Sequence, residues 1–187
     1  AAPNNQYYPG SYRTNSGSGT DNHCGSYWDN PLGMAWLILD PNAGLKTRGP
    51  IHAVLDTITQ GSATPPGPVK ISQITDGTSK TRLAGEYMTR TNPRRRTLWA
   101  YAYTSYNQSS GIPESRTLLA DYERCQALPG NSNCQEHCKR AWGSFHGGGL
   151  FQNVFCDGAV RAISEDVDMN VFVGSCTIQG QESVESL

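Results

Sequence analysis

The stretch that decides the fold class is GLFQNVFCDGAVRAIS, residues 149–164. Two short runs rich in aromatic and β-branched residues flank Asp157-Gly158, a dipeptide typical of tight turns between antiparallel strands. The pattern predicts a C-terminal β-hairpin with Asp157-Gly158 in a type I′ turn, where glycine supplies the positive φ.

Outward from this hairpin, four segments carry further structural signals. Residues 69–87 place a turn before an apolar run, which predicts a turn that leads into a strand. The alternation of aromatic and small residues over 99–106 predicts a half-buried strand. Apolar spacings of three and four over 115–128 predict a short amphipathic helix. Residues 33–39 fit either a buried helix turn or a strand.

The rest of the chain favours loops. Residues 1–33 are rich in Tyr, Asn, Ser, Gly and Pro, so we expect an extended, loop-rich segment, and residues 59–68 read as a connector. We therefore predict one β-rich α+β domain over 1–187 with an antiparallel sheet and long loops. Its parts are the segment 1–33, sheet and loops over 34–143, and the hairpin region 144–187.

The charge and hydrophobicity of the chain limit the kinds of binding partner that we expect. Fifteen Lys and Arg face sixteen Asp and Glu in 187 residues, for a net charge of −1, which argues against a general nucleic-acid or anionic-membrane binder. The longest apolar run, residues 34–39, is far shorter than the roughly 18–20 residues of a membrane helix. We expect no membrane span in this chain.

Six cysteines suggest an oxidising compartment, because an even number is typical of disulfide-bonded exported proteins. The disulfide candidates are Cys24, Cys125, Cys134, Cys138, Cys156 and Cys176. Their pairing stays open. The alternative for one group is a zinc site formed by Cys125, Cys134 and Cys138 with His137.

Two segments together resemble one protein family. VKISQITDGTSKTRLAGE, residues 69–86, resembles the signature I-x-x-I-T-D-G-T-S-N-T-x-x-x-G-E, and SFHGGG at 144–149 with DGAVR at 157–161 resembles S-x-H-P-G-G … F-x-D-G-S-V-R-F-I. The family is that of the planctomycete-type prepilin-like proteins with a C-terminal H-X9-DG domain. The motif residues are Asp76, Gly77, Thr78, Ser79, Gly85, Glu86, His146, Gly148, Gly149, Asp157 and Gly158.

The resemblance implies an exported protein with a pilin- or pseudopilin-like head and no assigned enzymatic activity. Members of the family begin with a long apolar helix, which is absent from this sequence. Ten residues rather than nine separate His146 from Asp157, and Gly147 stands in place of the usual proline. The additional residue predicts a bulge in the hairpin.

The charged motif residues favour structural roles. Asp76 and Asp157 precede glycine, as in turns where the carboxylate accepts nearby backbone N–H groups; the alternative is a calcium site built from carboxylate and carbonyl oxygens. We expect the His146 ring to hydrogen-bond loop backbone, and Glu86 to pair with an arginine or to cap a loop. No nucleophile elbow, phosphate loop or paired Cys/His signature accompanies them, so we predict no enzyme, no cofactor and no metal.

Two functions follow as expectations. The first is a structural or interaction protein, an extracellular or cell-surface subunit of a pilus-like filament that associates with itself or with other pilin-like subunits. The alternative is a secreted module that binds a small solute or a glycan, with Trp28, Trp36, Trp99 and Trp142 as stacking platforms. Asn107 begins the sequon Asn107-Gln108-Ser109 and is a glycosylation candidate.

Overall fold

The computed structural model describes residues 8–19, 26–42, 44–54, 64–98, 100–101, 104–113, 118–119, 121–128 and 136–180. Within these residues the fold is α+β and rich in β-structure, as predicted. The strands are β1 (Pro9–Gly10), β2 (Tyr12–Ser18), β3 (Arg82–Glu86), β4 (Thr97–Leu98), β5 (Gln108–Gly111), β6 (Leu150–Phe155) and β7 (Val160–Ser164). The α-helices are α1 (Pro31–Leu39), α2 (Tyr122–Ala127), α3 (Glu136–Lys139) and α4 (Met169–Gly174).

Five strands form the main sheet in the order β5-β2-β3-β6-β7, and β1 pairs with β4 separately. Neighbours are antiparallel except β2 and β5, which run parallel. The sheet is therefore mixed rather than wholly antiparallel. The parallel pair is possible because a long crossover connects its strands: Thr14 bonds to Asn107, 93 positions later.

β2 is the largest difference from the predicted loop-rich N-terminal segment. Its residues are extended, as expected, but they lie between two other strands of the sheet. The buried polar side chains are satisfied by hydrogen bonds: Asn15 Nδ2 donates to the carbonyl oxygens of Arg82 at 2.7 Å and Cys176 at 2.8 Å. Because buried polar groups are stable when they are hydrogen-bonded, a strand rich in Ser and Asn can occupy this position.

Glycine is required where β2 meets the chain after α1. Gly17 has φ +122°, and a Cβ there would overlap the backbone at Thr47 and Gly49. The Gly49 N–H donates to the Ser16 carbonyl oxygen at 2.9 Å. The close approach of two backbones thus depends on the absence of side chains.

Residues 33–39 form a helix rather than a strand. α1 has Pro31 at its start, and the Asn30 side chain accepts a hydrogen bond from Gly33 N at 2.7 Å. Asparagine at the cap and proline in the first turn are the usual signals of a helix N-terminus. They decide between the two structures that the apolar pattern left open.

The predicted strand over 99–106 is wrong where the structure describes it. β4 ends at Leu98, whose carbonyl oxygen accepts from Tyr101 N at 3.0 Å, and Thr104–Tyr106 form a 3₁₀ turn. The rings of Tyr101 and Tyr106 pack edge to face with centroids 5.4 Å apart. The aromatic alternation therefore reflects ring packing across a turn; residues 99, 102 and 103 lie outside the described residues.

The helix predicted within 115–128 is confirmed for Tyr122–Ala127, and Asp121 caps it by accepting from Arg124 N at 3.1 Å. A disulfide joins Cys125 to Cys138 in α3. Sulfurs that are joined in a disulfide cannot bind zinc as thiolates, so the predicted alternative of a zinc site is wrong.

The remaining predicted cysteines fall in two groups. Cys156 and Cys176 are not disulfide-bonded. Cys24 and Cys134 lie outside the described residues, as do parts of the predicted connector over 59–68.

Three apolar clusters form the core of the described residues. The first joins the hairpin to α4 and consists of Leu118, Trp142, Phe151, Phe155, Ile163, Phe172 and Cys176. The second packs α1 against the preceding segment and consists of Trp28, Met34 and Leu37. The third packs α2 against α3 and consists of Tyr122, Cys125 and Cys138. Among the helices of the described residues, none has the length and hydrophobicity needed to cross a bilayer.

Candidate functional site

The two sequence motifs meet in the fold, at the start of β3. Asp157 N donates to the Thr78 carbonyl oxygen at 3.1 Å, and Cys156 N donates to that of Thr81 at 2.9 Å. The Arg161 side chain adds a bond to the Ser79 carbonyl oxygen at 2.9 Å. Residues 78–81 are therefore held against the C-terminal hairpin by three hydrogen bonds.

Asp76 does more than stabilise its own turn. Its Oδ2 accepts hydrogen bonds from Gly180 N at 2.8 Å and from Thr177 Oγ1 at 3.2 Å. The adjacent Gly77 has φ +99°, which favours glycine. The Asp76 carboxylate therefore also fastens the segment that follows α4, a distant contact that the prediction of a turn aspartate did not include.

The C-terminal hairpin is confirmed, but its turn is not of type I′. Gly158 N donates to the Phe155 carbonyl oxygen at 3.0 Å, so Cys156 and Asp157 are the central residues. Gly158 follows them with φ +86°, which is the arrangement of a three-residue loop with a G1 bulge. Asp157 Oδ1 accepts from Ala159 N at 2.9 Å, as expected for a turn aspartate.

A second contact between the motifs lies at the other end of β3. The buried carboxylate of Glu86 is 3.0 Å from His146 Nε2 through Oε1, and its Oε2 accepts from Gln152 N at 2.7 Å. Glu86 thus pairs with His146 rather than with an arginine, and its second oxygen binds the backbone of β6 rather than that of a loop. The His146 ring contacts a carboxylate instead of loop backbone. The His146 side chain is 59% exposed.

Glycines shape the surroundings of this contact. Gly148 and Gly149 have φ +84° and +64° and form the loop that follows His146. A Cβ at Gly85 would overlap Asn153 Oδ1 on the neighbouring strand. The motif glycines therefore serve a close strand approach and a left-handed loop.

Glu86→Ala is expected to lower the free energy of unfolding by about 1–3 kcal/mol, because the Gln152 N–H would lose its acceptor in a partly buried position. Urea denaturation measures the loss. His146→Ala is the control and should cost no more than about 1 kcal/mol, since that side chain is largely in water. Equal losses in the two variants would contradict the assigned role of Glu86.

Ser144 holds the loop that leads from His146 into β6. Ser144 Oγ donates to the Leu150 carbonyl oxygen at 2.6 Å and accepts from His146 N at 3.1 Å. It therefore fixes the loop and is not bonded to the imidazole. Among the described residues, no three His, Cys, Asp or Glu side chains are grouped as a metal ion would require.

Two of the predicted stacking platforms are core residues. Trp28 and Trp142 are fully buried, and Trp142 Nε1 donates to the Ser110 carbonyl oxygen at 2.9 Å. Trp36 on α1 is 49% exposed. Trp99 lies outside the described residues.

The glycosylation candidate Asn107 is half-buried and directly precedes β5. Ser109 of the same sequon is fully buried, and its hydroxyl donates to the Ala141 carbonyl oxygen at 2.9 Å. An enzyme that reads this sequon would have to act before β5 joins the sheet.

Sequence reasoning missed several buried charges, of which Arg82 and Asp29 are two. Arg82 lies inside the first motif, and Asp29 lies in the segment before α1; both are fully or almost fully buried. No spacing rule indicates either, because their partners Cys176 and Arg140 are far away in sequence.

Comparison with known proteins finds one family. The family model SBP_bac_10, described as a protein of unknown function (DUF1559), matches residues 1–170. No curated protein and no solved structure matches the chain.

Proposed function

The chain belongs to the DUF1559 family, and on that premise we propose that it is a structural protein, an exported subunit of an extracellular filament or pilus-like cell-surface assembly. The resemblance of its two motifs to the prepilin-like proteins with the H-X9-DG domain supports this function. The Cys125–Cys138 disulfide supports an oxidising location outside the cytoplasm.

The observation that carries the proposal is the open edge of the sheet at β7. At one end of the hairpin Phe155 N donates to the Ala159 carbonyl oxygen at 2.9 Å, and at the other Glu165 N donates to that of Gly149 at 2.7 Å. Because bonded residues alternate along an antiparallel pair, the odd-numbered residues of 159–165 bond to β6.

The even-numbered residues Val160 and Ala162 therefore direct their N–H and C=O groups away from the sheet. Within the described part of the chain, no further strand pairs with β7. Both side chains are exposed, that of Val160 by 67%. Such an edge is a template for pairing with another chain.

The edge lacks the usual protection against pairing. Proteins commonly place lysine, proline or an outward charge on an exposed edge strand. The charged residue of β7 is Arg161, which is directed toward its own fold: its guanidinium lies 4.5 Å from the centre of the Phe155 ring. A second chain that adds a strand at β7 would therefore pair with the uncharged residues Val160 and Ala162, without charge repulsion.

An apolar helix face offers a second contact surface. Leu32, Trp36 and Leu39 are exposed at spacings of four and three along α1, so they share one side of the helix. Subunit contacts commonly bury aromatic and aliphatic groups of this kind.

The test replaces Ala162 with proline. Proline removes the outward N–H, and an edge strand tolerates it where that N–H faces solvent. We expect Ala162→Pro to keep the thermal unfolding temperature of the wild type within a few degrees and to abolish the filaments or oligomers that the wild type forms at high concentration. Electron microscopy and analytical ultracentrifugation provide the readout.

Ala162→Ser is the matched control, because it changes the side chain and keeps the N–H; it should assemble as the wild type does. Unchanged assembly of Ala162→Pro would contradict the use of the β7 edge. A wild type that stays monomeric at high concentration would contradict the proposed function itself.

The alternative proposal, a secreted small-solute or glycan-binding module, depends on Trp36 as its exposed stacking ring. A glycan array with wild type and Trp36→Ala tests it. Binding that the substitution removes would favour this alternative over the structural function.

A further inference from the structure

Arg82, the first residue of β3, is a cation enclosed by the core. Its side chain is fully buried, and its guanidinium carbon lies 3.8 Å from the centre of the Phe172 ring and 4.5 Å from that of Trp142. Nη1 donates to Asn153 Oδ1 at 3.2 Å. The guanidinium is thus held between two aromatic rings, with a neutral amide as one partner.

The described structure brings no carboxylate to this guanidinium. Nη2 instead donates to the sulfur of Cys176 at 2.6 Å, and Nε is buried without a hydrogen-bond partner. Burial lowers the pKa of Arg82 and Cys176 acts in the opposite direction, but a guanidinium stays protonated at neutral pH. The positive charge therefore remains in the core.

A buried charge without a counter-ion is strongly destabilising. Ionising a nearby thiol costs less free energy than leaving this charge without a counter-ion. The ordinary pKa of a thiol is about 8.5, so the ratio of thiol to thiolate at pH 7 is only about 30. Cys176 is the ionisable group in hydrogen-bond contact with Arg82. Its ionisation would supply the missing negative charge.

We propose that Cys176 is a thiolate in the folded protein and serves as the buried counter-ion of Arg82. The pair ties β3 to the segment directly after α4 inside the main core. Cys176 then acts as an anion rather than as a disulfide partner. The competing arrangement is a neutral thiol that donates to the Phe172 carbonyl oxygen, 3.3 Å from the sulfur.

Cys156 provides a matched control within the same chain. Burial, together with the nearby Asp157, raises the pKa of Cys156 to about 11. It is therefore a protonated thiol at neutral pH. A thiolate signal at pH 6.5 must survive Cys156→Ser and disappear in Cys176→Ser.

The experiment measures thiolate absorbance near 240 nm in the folded 187-residue chain at pH 6.5. We expect the folded wild type to exceed folded Cys176→Ser by one thiolate equivalent. The excess should vanish in denaturant at the same pH, where an ordinary thiol is only about 1% ionised. Equal absorbance of the two folded proteins would overturn the proposal.

A second measurement applies if Cys176→Ser does not fold. Cysteine Cβ signals of the ¹³C-labelled wild type are followed by NMR from pH 9 to pH 5, with Cys156→Ser to remove one signal. One signal that remains in the thiolate position down to pH 6.5 supports the pair. If every thiol is protonated at pH 6.5, the proposal is wrong.

Discussion

Asp29→Ala is expected to lower the free energy of unfolding by about 3 kcal/mol, because it removes the buried carboxylate from the Arg140 guanidinium. Only the partly exposed Glu136 then remains as a counter-ion, with Oε2 accepting from Arg140 Nη1 at 2.8 Å. Asp29 accepts from Arg140 Nε at 2.6 Å and from Nη2 at 2.9 Å. Burial opposes the charged form of Arg140, but the attraction of Asp29 raises its pKa overall. Chemical denaturation measures the loss.

Two controls identify the source of this loss. Asp166→Ala removes an exposed carboxylate and should change stability by no more than about 0.5 kcal/mol. The double variant Asp29→Ala with Arg140→Met removes both charges and should recover part of the loss, since an apolar side chain is tolerated where a buried cation that has lost its buried carboxylate is not. If Asp29→Ala alone lowers the free energy of unfolding by less than about 1 kcal/mol, the Asp29–Arg140 pair is solvated rather than buried.

Lowering the pH from 6.5 to 4 is expected to remove about 3 kcal/mol of stability through His52 alone. Burial, with Arg48 as the next cause, lowers the pKa of His52 to about 4. An unfolded histidine has a pKa of about 6.5. Below that pH the unfolded chain binds a proton that the folded chain does not, so stability falls as the pH falls toward 4.

His52→Leu tests the assignment, because carboxylates also titrate in this range and only the difference between the two proteins reports His52. Urea midpoints at pH 7 and pH 4.5 should differ much less in the variant than in the wild type. The ring of Trp28 lies 6.1 Å from that of His52 between centroids, so its fluorescence follows the same transition. A wild-type-to-variant difference that is constant with pH would rule out the buried neutral imidazole.

The hairpin could be predicted because its information is local. A turn dipeptide and its flanking strands are neighbours in sequence, so β6 and β7 follow from residues 149–164 without any knowledge of the rest. The type of turn could not be predicted, since it depends on whether Gly158 follows the central residues or is one of them. α2 and the turn before β3 could be predicted for the same reason, because the residues that form them are neighbours in sequence.

β2 and the motif contacts could not be predicted in full because their partners are distant. Asn15 is suited to a strand only when the carbonyl oxygens of Arg82 and Cys176 are in place. The motifs indicated Glu86 and His146 as separate residues, but only the fold brings them to 3.0 Å. Charge pairs such as Asp29 with Arg140 carry no spacing signal.

The place of β2 has a consequence for how the chain acquires its structure. β2 is synthesised before both of its partner strands and must wait for residues 82–86 and 108–111 before the sheet can close around it. Contacts so distant in sequence slow folding, because a long loop must be ordered first. The serines and asparagine of β2 give it no apolar strand pattern. The same polar side chains keep the segment soluble, without aggregating, until β3 and β5 have been synthesised.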